Sequence, residues 1–189
     1  MIKFTKFTHG NEVGKIYELD ASNNITSMTV GNLIAAGIET ISINSLEEFV
    51  PQLYGMTNFN HITAGVNPDN ASMCVMGPTS PGVINRSNKD LPFPNSGDSG
   101  LLIIDSDGVD SFPQMPVVTD YEHVEYTSSG SNIVDAEGVQ RRGFEGCHTV
   151  YAVKDPSDIP RAMEALHKRE ILNYRGLCKV SAAGTFLER

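Results

Sequence analysis

The sequence predicts an α+β domain, because short strand patterns are mixed with two clearly bounded helices. The strands are indicated by alternating or continuous apolar segments that lie between turn residues. The helices are indicated by capping residues followed by apolar residues at helical spacing. With 189 residues, the chain suits one domain that buries a core of its own.

Six short segments have the apolar pattern of strands, at residues 16–19, 41–43, 61–66, 101–104, 148–153 and 178–181. Among them, 101–104 is a continuous apolar run, which is typical of a strand buried on both faces. Turn residues occupy 21–24. Residues 67–100 are rich in Pro, Gly, Asn and Ser, which favours a long functional loop. Residues 127–146 are rich in Gly and Ser.

Two helices are predicted from their capping residues. Ser45 and Glu48 have the spacing of a capping box, and the apolar residues after them recur at helical spacing until Gly55. A second helix is predicted to begin at Asp158, because a proline follows in the first turn, and to end at Gly176.

The charge distribution is more informative than the net charge of -9, which argues against a protein that coats nucleic acid by bulk electrostatics. Residues 98–137 contain nine acidic residues and no Lys or Arg, whereas residues 138–189 contain nine basic and six acidic residues. This pattern fits a site where cations bridge carboxylates to a phosphate substrate. On charge alone, however, ordinary solvated faces are the favoured interpretation.

The three cysteines, Cys74, Cys147 and Cys178, form neither a zinc pattern nor a disulfide framework. The sequence has no apolar run long enough to cross a bilayer and no signal-peptide pattern at its N-terminus. We therefore expect a cytoplasmic protein without a membrane partner.

The sharpest local motif is the pair Asp105 and Asp107, directly after the apolar run 101–104. Carboxylates at positions i and i+2 of a strand point to the same face, where they can share hard cations through oxygen ligands. Two such cations can activate an attacking oxygen and stabilise a leaving pyrophosphate. The same Asp-Ser-Asp-Gly sequence is also typical of a polar turn after a strand.

Further candidates lie on both sides of this pair. His148, at the start of a predicted strand, can donate to a nucleotide phosphate, and the segment with Ser128 and Ser129 can do so through free backbone N–H groups. Arg86 can fork onto a triphosphate. Each also has a structural interpretation: a hydrogen-bonded histidine, a polar turn, and a solvated arginine.

Taken together, the order of these residues resembles the archaeo-eukaryotic primase superfamily. A loop arginine, Arg86, is followed by the apolar strand with Asp105 and Asp107, then by a Ser- and Gly-rich segment and by the strand with His148. The chain is most similar to N-terminal primase regions of phage and mobile-element replication proteins, which often continue into a helicase. The resemblance runs from Phe4 to the end of the chain.

The resemblance implies a catalytic domain with a mainly antiparallel central sheet and flanking helices. It implies two-metal nucleotidyl transfer, either primer synthesis or DNA polymerisation, with Mg²⁺ or Mn²⁺ held by Asp105 and Asp107. His148 would contact the nucleoside triphosphate, and a single-stranded DNA template and a helicase would be partners. We expect one domain over 1–189, with an N-terminal α/β part over 1–66 and the metal- and nucleotide-binding part over 67–189.

The chain departs from the family pattern in two ways. The family's serine-x-histidine motif is not intact, because an insertion separates Ser128 and Ser129 from His148. The third carboxylate of the family is expected just beyond Glu188, so we expect a C-terminally truncated domain. The sequence contains no phosphate-binding loop of a helicase.

Two other functions stay open from the sequence. Haloacid-dehalogenase-like phosphatases also carry an apolar strand that ends in Asp-x-Asp-Gly, and there the residue equivalent to Asp105 is a covalent nucleophile. Their motif usually lies near the start of the chain and continues with Thr, where this chain has Val109. The second alternative is a non-catalytic, primase-like module that binds DNA or nucleotide without turnover.

Overall fold

A computed structural model describes residues 1–31, 35–67, 71–75, 82–85, 90–95, 97–107, 121–172, 178–180 and 186–188. Within these ranges, only the backbone is described at residues 106, 107, 167, 170–172, 178–180 and 186–188. The predicted α+β class is confirmed, since the described residues form a mixed, mostly antiparallel sheet with few helices.

The described elements follow one another in this order: β1 (Ile2–His9), β2 (Gly14–Leu19), β3 (Ile25–Val30), β4 (Ala35–Ile43), α1 (Phe49–Tyr54), β5 (Asn60–Thr63), β6 (Met73–Val75), β7 (Val83–Asn85), β8 (Ser99–Asp107), β9 (His123–Thr127), β10 (Ile133–Val134), β11 (Gln140–Arg142), β12 (Gly146–Val153), α2 (Ile159–Leu172), β13 (Cys178–Val180) and β14 (Phe186–Glu188). A 3-10 turn at Pro156–Asp158 precedes α2.

The main sheet has eight strands among the described residues, in the order β7-β6-β4-β1-β8-β12-β9, with β5 also paired to β1. Neighbouring strands of this sheet are antiparallel, except for the pairs β1–β8 and β6–β7, which are parallel. The pair β8–β12 extends from Gly100 opposite Val153 to Asp107 opposite Gly146. Because of this pairing, Asp105, Asp107 and His148 lie close to one end of the two strands.

The main hydrophobic core lies on one face of this sheet, beneath α1. Its buried residues come from β1, β4, α1 and its entry, β8 and β12: Ile2, Phe4, Ile43, Leu46, Phe49, Leu101 and Val150. The rings of Phe4 and Phe49 meet edge to face at 5.3 Å between centroids. This geometry suits the quadrupoles of the two rings and ties α1 to β1.

A second apolar cluster lies around β1, β4, β6 and β7, and its buried members are Phe7, Ala36, Ala71, Cys74, Ile84 and Leu91. The strands β2 and β3 form a separate hairpin over the predicted turn at 21–24. In that turn Asn23 has a φ of 62°, and the Asp20 carboxylate accepts the backbone N–H groups of Ser22 and Asn24.

Several sequence predictions are corrected in detail. The capping box with Ser45 is wrong: the Glu48 carboxylate accepts the backbone N–H of Asn44 at 2.9 Å, and α1 begins only at Phe49. The strand predicted at 61–66 is Asn60–Thr63. The loop predicted over 67–100 contains two short strands, β6 and β7, because each finds a partner in the sheet.

The chain divides into two compact units, residues 1–156 and 157–189. The second contains α2 and the pair β13–β14. The predicted helix start is confirmed, and the predicted stop at Gly176 lies outside the described residues. The expected organisation as one domain stays a prediction. None of the described helices has the length and apolar character needed to cross a membrane.

We expect Phe49→Ala to lower the free energy of unfolding by about 3–5 kcal/mol, because it removes a fully buried ring and its contact with Phe4. The matched control is Tyr54→Ala, in the same helix, where the ring is 87% exposed and a change within about 0.5 kcal/mol is expected. Urea unfolding followed by circular dichroism measures both. Equal effects would show that α1 does not cover the core.

Candidate active site

Three polar side chains form one row across the end of the main sheet. His148 on β12 lies opposite Asp105 on β8 and opposite Tyr126 on β9. Residues directly opposite one another on neighbouring strands share a face, so the carboxylate, the imidazole and the phenol lie side by side. The two ends of this row come from strands about twenty residues apart in sequence.

Within the row, His148 is the central group. Its Nε2 lies 3.4 Å from Oδ1 of Asp105, and its ring stacks on that of Tyr126, with 4.9 Å between centroids and 16° between planes. The Asp105 side chain is 60% exposed, so the carboxylate is open to a ligand, whereas His148 is partly buried. The site therefore has an accessible acidic end and a sheltered aromatic end.

The polar row borders directly on the core. The next row on the same face consists of Ile103, Val150 and Val124, which lie opposite one another in the same register. Val150 is fully buried, and the other two pack against the main core cluster. Packing of this apolar row holds the backbone of all three strands in place, and with it the backbone positions of the polar residues.

The serine segment after β9 lies beside this row. The backbone N–H of Ser128 donates to the carbonyl of Gly146 at 2.9 Å, and Gly146 is opposite Asp107. The Ser131 hydroxyl donates to the Gly146 carbonyl and accepts the N–H groups of Glu145 and Gly146. This hydroxyl therefore anchors the segment to the start of β12.

The structure thus brings together predicted site residues that an insertion separates in sequence. Ser128 lies beside Gly146, two residues from His148, because β9 pairs with β12. The Ser128 hydroxyl contacts that of Ser131 at 3.2 Å, whereas Ser129 is exposed. Arg86 lies outside the described residues, as does the side chain of Asp107.

Negative charge dominates this end of the sheet. Burial and, secondly, the charge of Asp105 raise the pKa of Tyr126. Burial and the charge of Glu125 raise the pKa of Cys147 and of Tyr151 on the opposite face. These hydroxyl and thiol groups therefore keep their protons to a higher pH than usual.

Arg141 and Arg142 lie in β11, just before the strand that carries His148. Arg141 pairs with Asp135 at 2.5 Å, and Arg142 pairs with Glu145 at 3.1 Å. Both guanidinium groups thus already have a carboxylate of their own segment. The stretch 98–137, which contains Asp105, has no Lys or Arg. In the described part of the chain, the basic side chain beside Asp105 is His148, at 3.4 Å.

The donor groups suit a hard cation that is bound together with its substrate. In the described part of the chain, no group of three or more His, Cys, Asp or Glu side chains is arranged to hold a metal ion. A nucleotide-bound Mg²⁺ does not need such a cage, because it takes one or two protein carboxylates and completes its shell with phosphate oxygens and water. The exposed carboxylate of Asp105 fits this requirement.

Tyr126 is a site residue that no sequence motif indicates. It lies in an alternating segment, His123–Thr127, which is not among the predicted strands. Its role depends on the pairing of β9 with β12, which brings residues 126 and 148 opposite each other. The only local signal is the alternation of apolar Val124 and Tyr126 with polar neighbours.

Comparisons with protein-family models, with curated proteins and with solved structures find no match to this chain.

We expect Asp105→Asn to lower the raised pKa of Tyr126, because it removes the negative charge that disfavours the phenolate. Burial is the larger cause, so the pKa should stay above its ordinary value. Tyrosinate absorbance, taken as the difference between each protein and its Tyr126→Phe counterpart, measures this. An unchanged Tyr126 titration would show that Asp105 is not near the ring.

The same pKa shift predicts a loss of stability in alkali. The Tyr126 pKa is higher in the folded protein than in the unfolded chain. As pH rises, the unfolded chain therefore loses the Tyr126 proton at a lower pH than the folded protein does. The contribution of Tyr126 to the free energy of unfolding is therefore fully present below the ordinary tyrosine pKa and falls as pH rises toward the raised value. In Tyr126→Phe, the free energy of unfolding measured with urea should fall less steeply as pH rises in the alkaline range.

Proposed function

We infer that this chain is a metal-dependent nucleotidyl transferase of the primase-polymerase kind, which makes primers or extends DNA in the replication of a phage or mobile element. The observation that carries the proposal is an exposed Asp105 carboxylate 3.4 Å from Nε2 of His148, with Asp107 two residues further along the same strand. The proposed substrates are nucleoside triphosphates, and the proposed partners are a single-stranded DNA template and a helicase.

Asp105 and Asp107 are the proposed ligands of Mg²⁺ or Mn²⁺. The bound cation would supply positive charge that offsets the charge of the triphosphate and of the leaving pyrophosphate. This assignment is supported by the absence of Lys and Arg from residues 98–137, which leaves the His148 imidazole as the described basic group beside Asp105. Asp105 also limits how the nucleotide sits, because a carboxylate and a phosphate approach each other only across a shared cation.

His148 is the proposed contact to the phosphates. Its Nε2 faces the acidic end of the row, where a cation-bound triphosphate would lie. A proton on this nitrogen can be donated to a phosphate oxygen, and partial burial strengthens such a hydrogen bond. Ser129, exposed in the turn after β9, is the proposed second contact, and Arg86 stays a candidate from the sequence.

We expect Asp105→Asn to weaken the binding of Mn²⁺·ATP roughly tenfold or more, because a neutral amide is a poor ligand for a hard cation. The matched control is Asp98→Asn, just before the other end of β8, whose carboxylate pairs with Lys3 at 2.8 Å. Calorimetric titration with Mn²⁺ and ATP measures both affinities. The same Kd in Asp105→Asn and the unchanged chain would contradict the proposed metal site.

Turnover separates the proposed function from its alternatives. Template-dependent incorporation of labelled nucleotides on single-stranded DNA, with Mg²⁺ or Mn²⁺, is the expected result, and Asp105→Asn should abolish it. Release of inorganic phosphate from small phosphoesters without a template would instead indicate a phosphatase with Asp105 as nucleophile. Binding of Mn²⁺·ATP with neither reaction would identify a non-catalytic module.

A further inference from the structure

The stacked pair of Tyr126 and His148 has a consequence for the imidazole. Their ring planes are only 16° apart, with the centroids separated by 4.9 Å. The nitrogens of an imidazole lie in its ring plane, so they point along the tyrosine face and not into it. Nε2 of the same ring lies 3.4 Å from Oδ1 of Asp105. The phenol therefore covers one face of His148, while Nε2 lies close to the carboxylate.

Tilting the imidazole would move Nε2 relative to Asp105 and reduce the stacking on Tyr126. The last side-chain torsion of histidine has a broad and roughly two-fold energy profile, so the side chain by itself fixes the ring orientation poorly. A flat neighbour narrows that range, since tilted orientations collide with the phenol or lose its contact. Tyr126 is well placed to act in this way, because it is partly buried and packed against the main core.

The position of the imidazole proton follows from the same geometry. Nδ1 of His148 is buried and has no hydrogen-bond partner among the described residues. A buried N–H without an acceptor costs more than a bare nitrogen, so the neutral ring carries its proton on Nε2. That proton is then on the nitrogen that lies 3.4 Å from Asp105, where a phosphate held beside the carboxylate could accept it.

We propose that Tyr126 is a positioning residue, which holds the His148 imidazole with its Nε2–H directed at the ligand site beside Asp105. The inference rests on the proposed nucleotide site, because His148 is the group that would contact the phosphates. Tyr126 acts through His148 and touches no reacting atom. Its ring, and not its hydroxyl, is the part that matters.

A double-mutant cycle on nucleotide binding tests whether Tyr126 acts through His148. Tyr126→Leu should weaken Mn²⁺·ATP binding roughly 2- to 10-fold, the effect of losing one aromatic contact. In the background of His148→Gln the same change should add nothing. Tyr126→Phe, which keeps the ring, should restore most of the affinity. Tyr121→Leu, at an exposed tyrosine before β9, is the control expected to leave binding unchanged.

A second measurement needs neither metal nor nucleotide. In ¹⁵N spectra of the imidazole nitrogens, the unchanged chain and Tyr126→Phe should show His148 protonated on Nε2 alone. Tyr126→Leu should show averaged signals with partial protonation of Nδ1, because the freed ring exposes that nitrogen to water. His123, whose Nδ1 lies 2.9 Å from the Tyr121 carbonyl, serves as an internal reference that should not change.

The two measurements fail in different ways. If Mn²⁺·ATP does not bind the unchanged chain, the proposed function fails, and the ¹⁵N spectra still decide whether Tyr126 orients the imidazole. If Tyr126→Leu leaves the spectra of His148 unchanged, the positioning role is wrong even where nucleotide binds. An equal loss of Mn²⁺·ATP affinity on Tyr126→Leu in the unchanged chain and in His148→Gln would also overturn the positioning role. Circular dichroism and thermal unfolding establish that each variant is folded.

Discussion

The antiparallel register between β8 and β12 is the constraint on which the site depends. A shift by one residue would place Asp105 opposite Cys147 or Thr149, whose side chains belong to the other face of the sheet. The register is held by apolar residues, since burying Val150 alone contributes about 1.5–3 kcal/mol. The half-exposed contact between Asp105 and His148 contributes at most about 1 kcal/mol. The core therefore positions the site, and the site contributes little to the fold.

Apolar burial and strand pairing also decide which parts of the fold the sequence predicts. The strands β8 and β12 and the start of α2 follow from continuous apolar runs and capping residues, and the structure confirms them. The strands β6 and β7 have three residues each, too few to show a period, and exist because a neighbouring strand accepts them. Local pattern therefore predicts the long elements, and tertiary pairing decides the short ones.

The candidate site divides in the same way. Asp105 and His148 are recognisable from sequence, because each lies at the wet end of an apolar strand, and the structure brings them within 3.4 Å. Tyr126 is not recognisable, since nothing local shows that residue 126 will lie opposite residue 148. Likewise His9 and His61 have no motif spacing, yet β1 and β5 bring their ring nitrogens to 2.6 Å. Such neighbours depend on strand pairing, which sequence periodicity does not specify.

The electrostatics of this sheet end disfavour ionisation of its thiol and phenol groups. Cys147 is the obvious nucleophile, but burial and the charge of Glu125 raise its pKa and keep it a thiol. The phenols of Tyr126 and Tyr151 are likewise held neutral. Burial and, secondly, the nearby carboxylates make these groups harder to ionise. In the proposed function, a cation beside Asp105 would offset the negative charge there and hold a phosphate oxygen near His148.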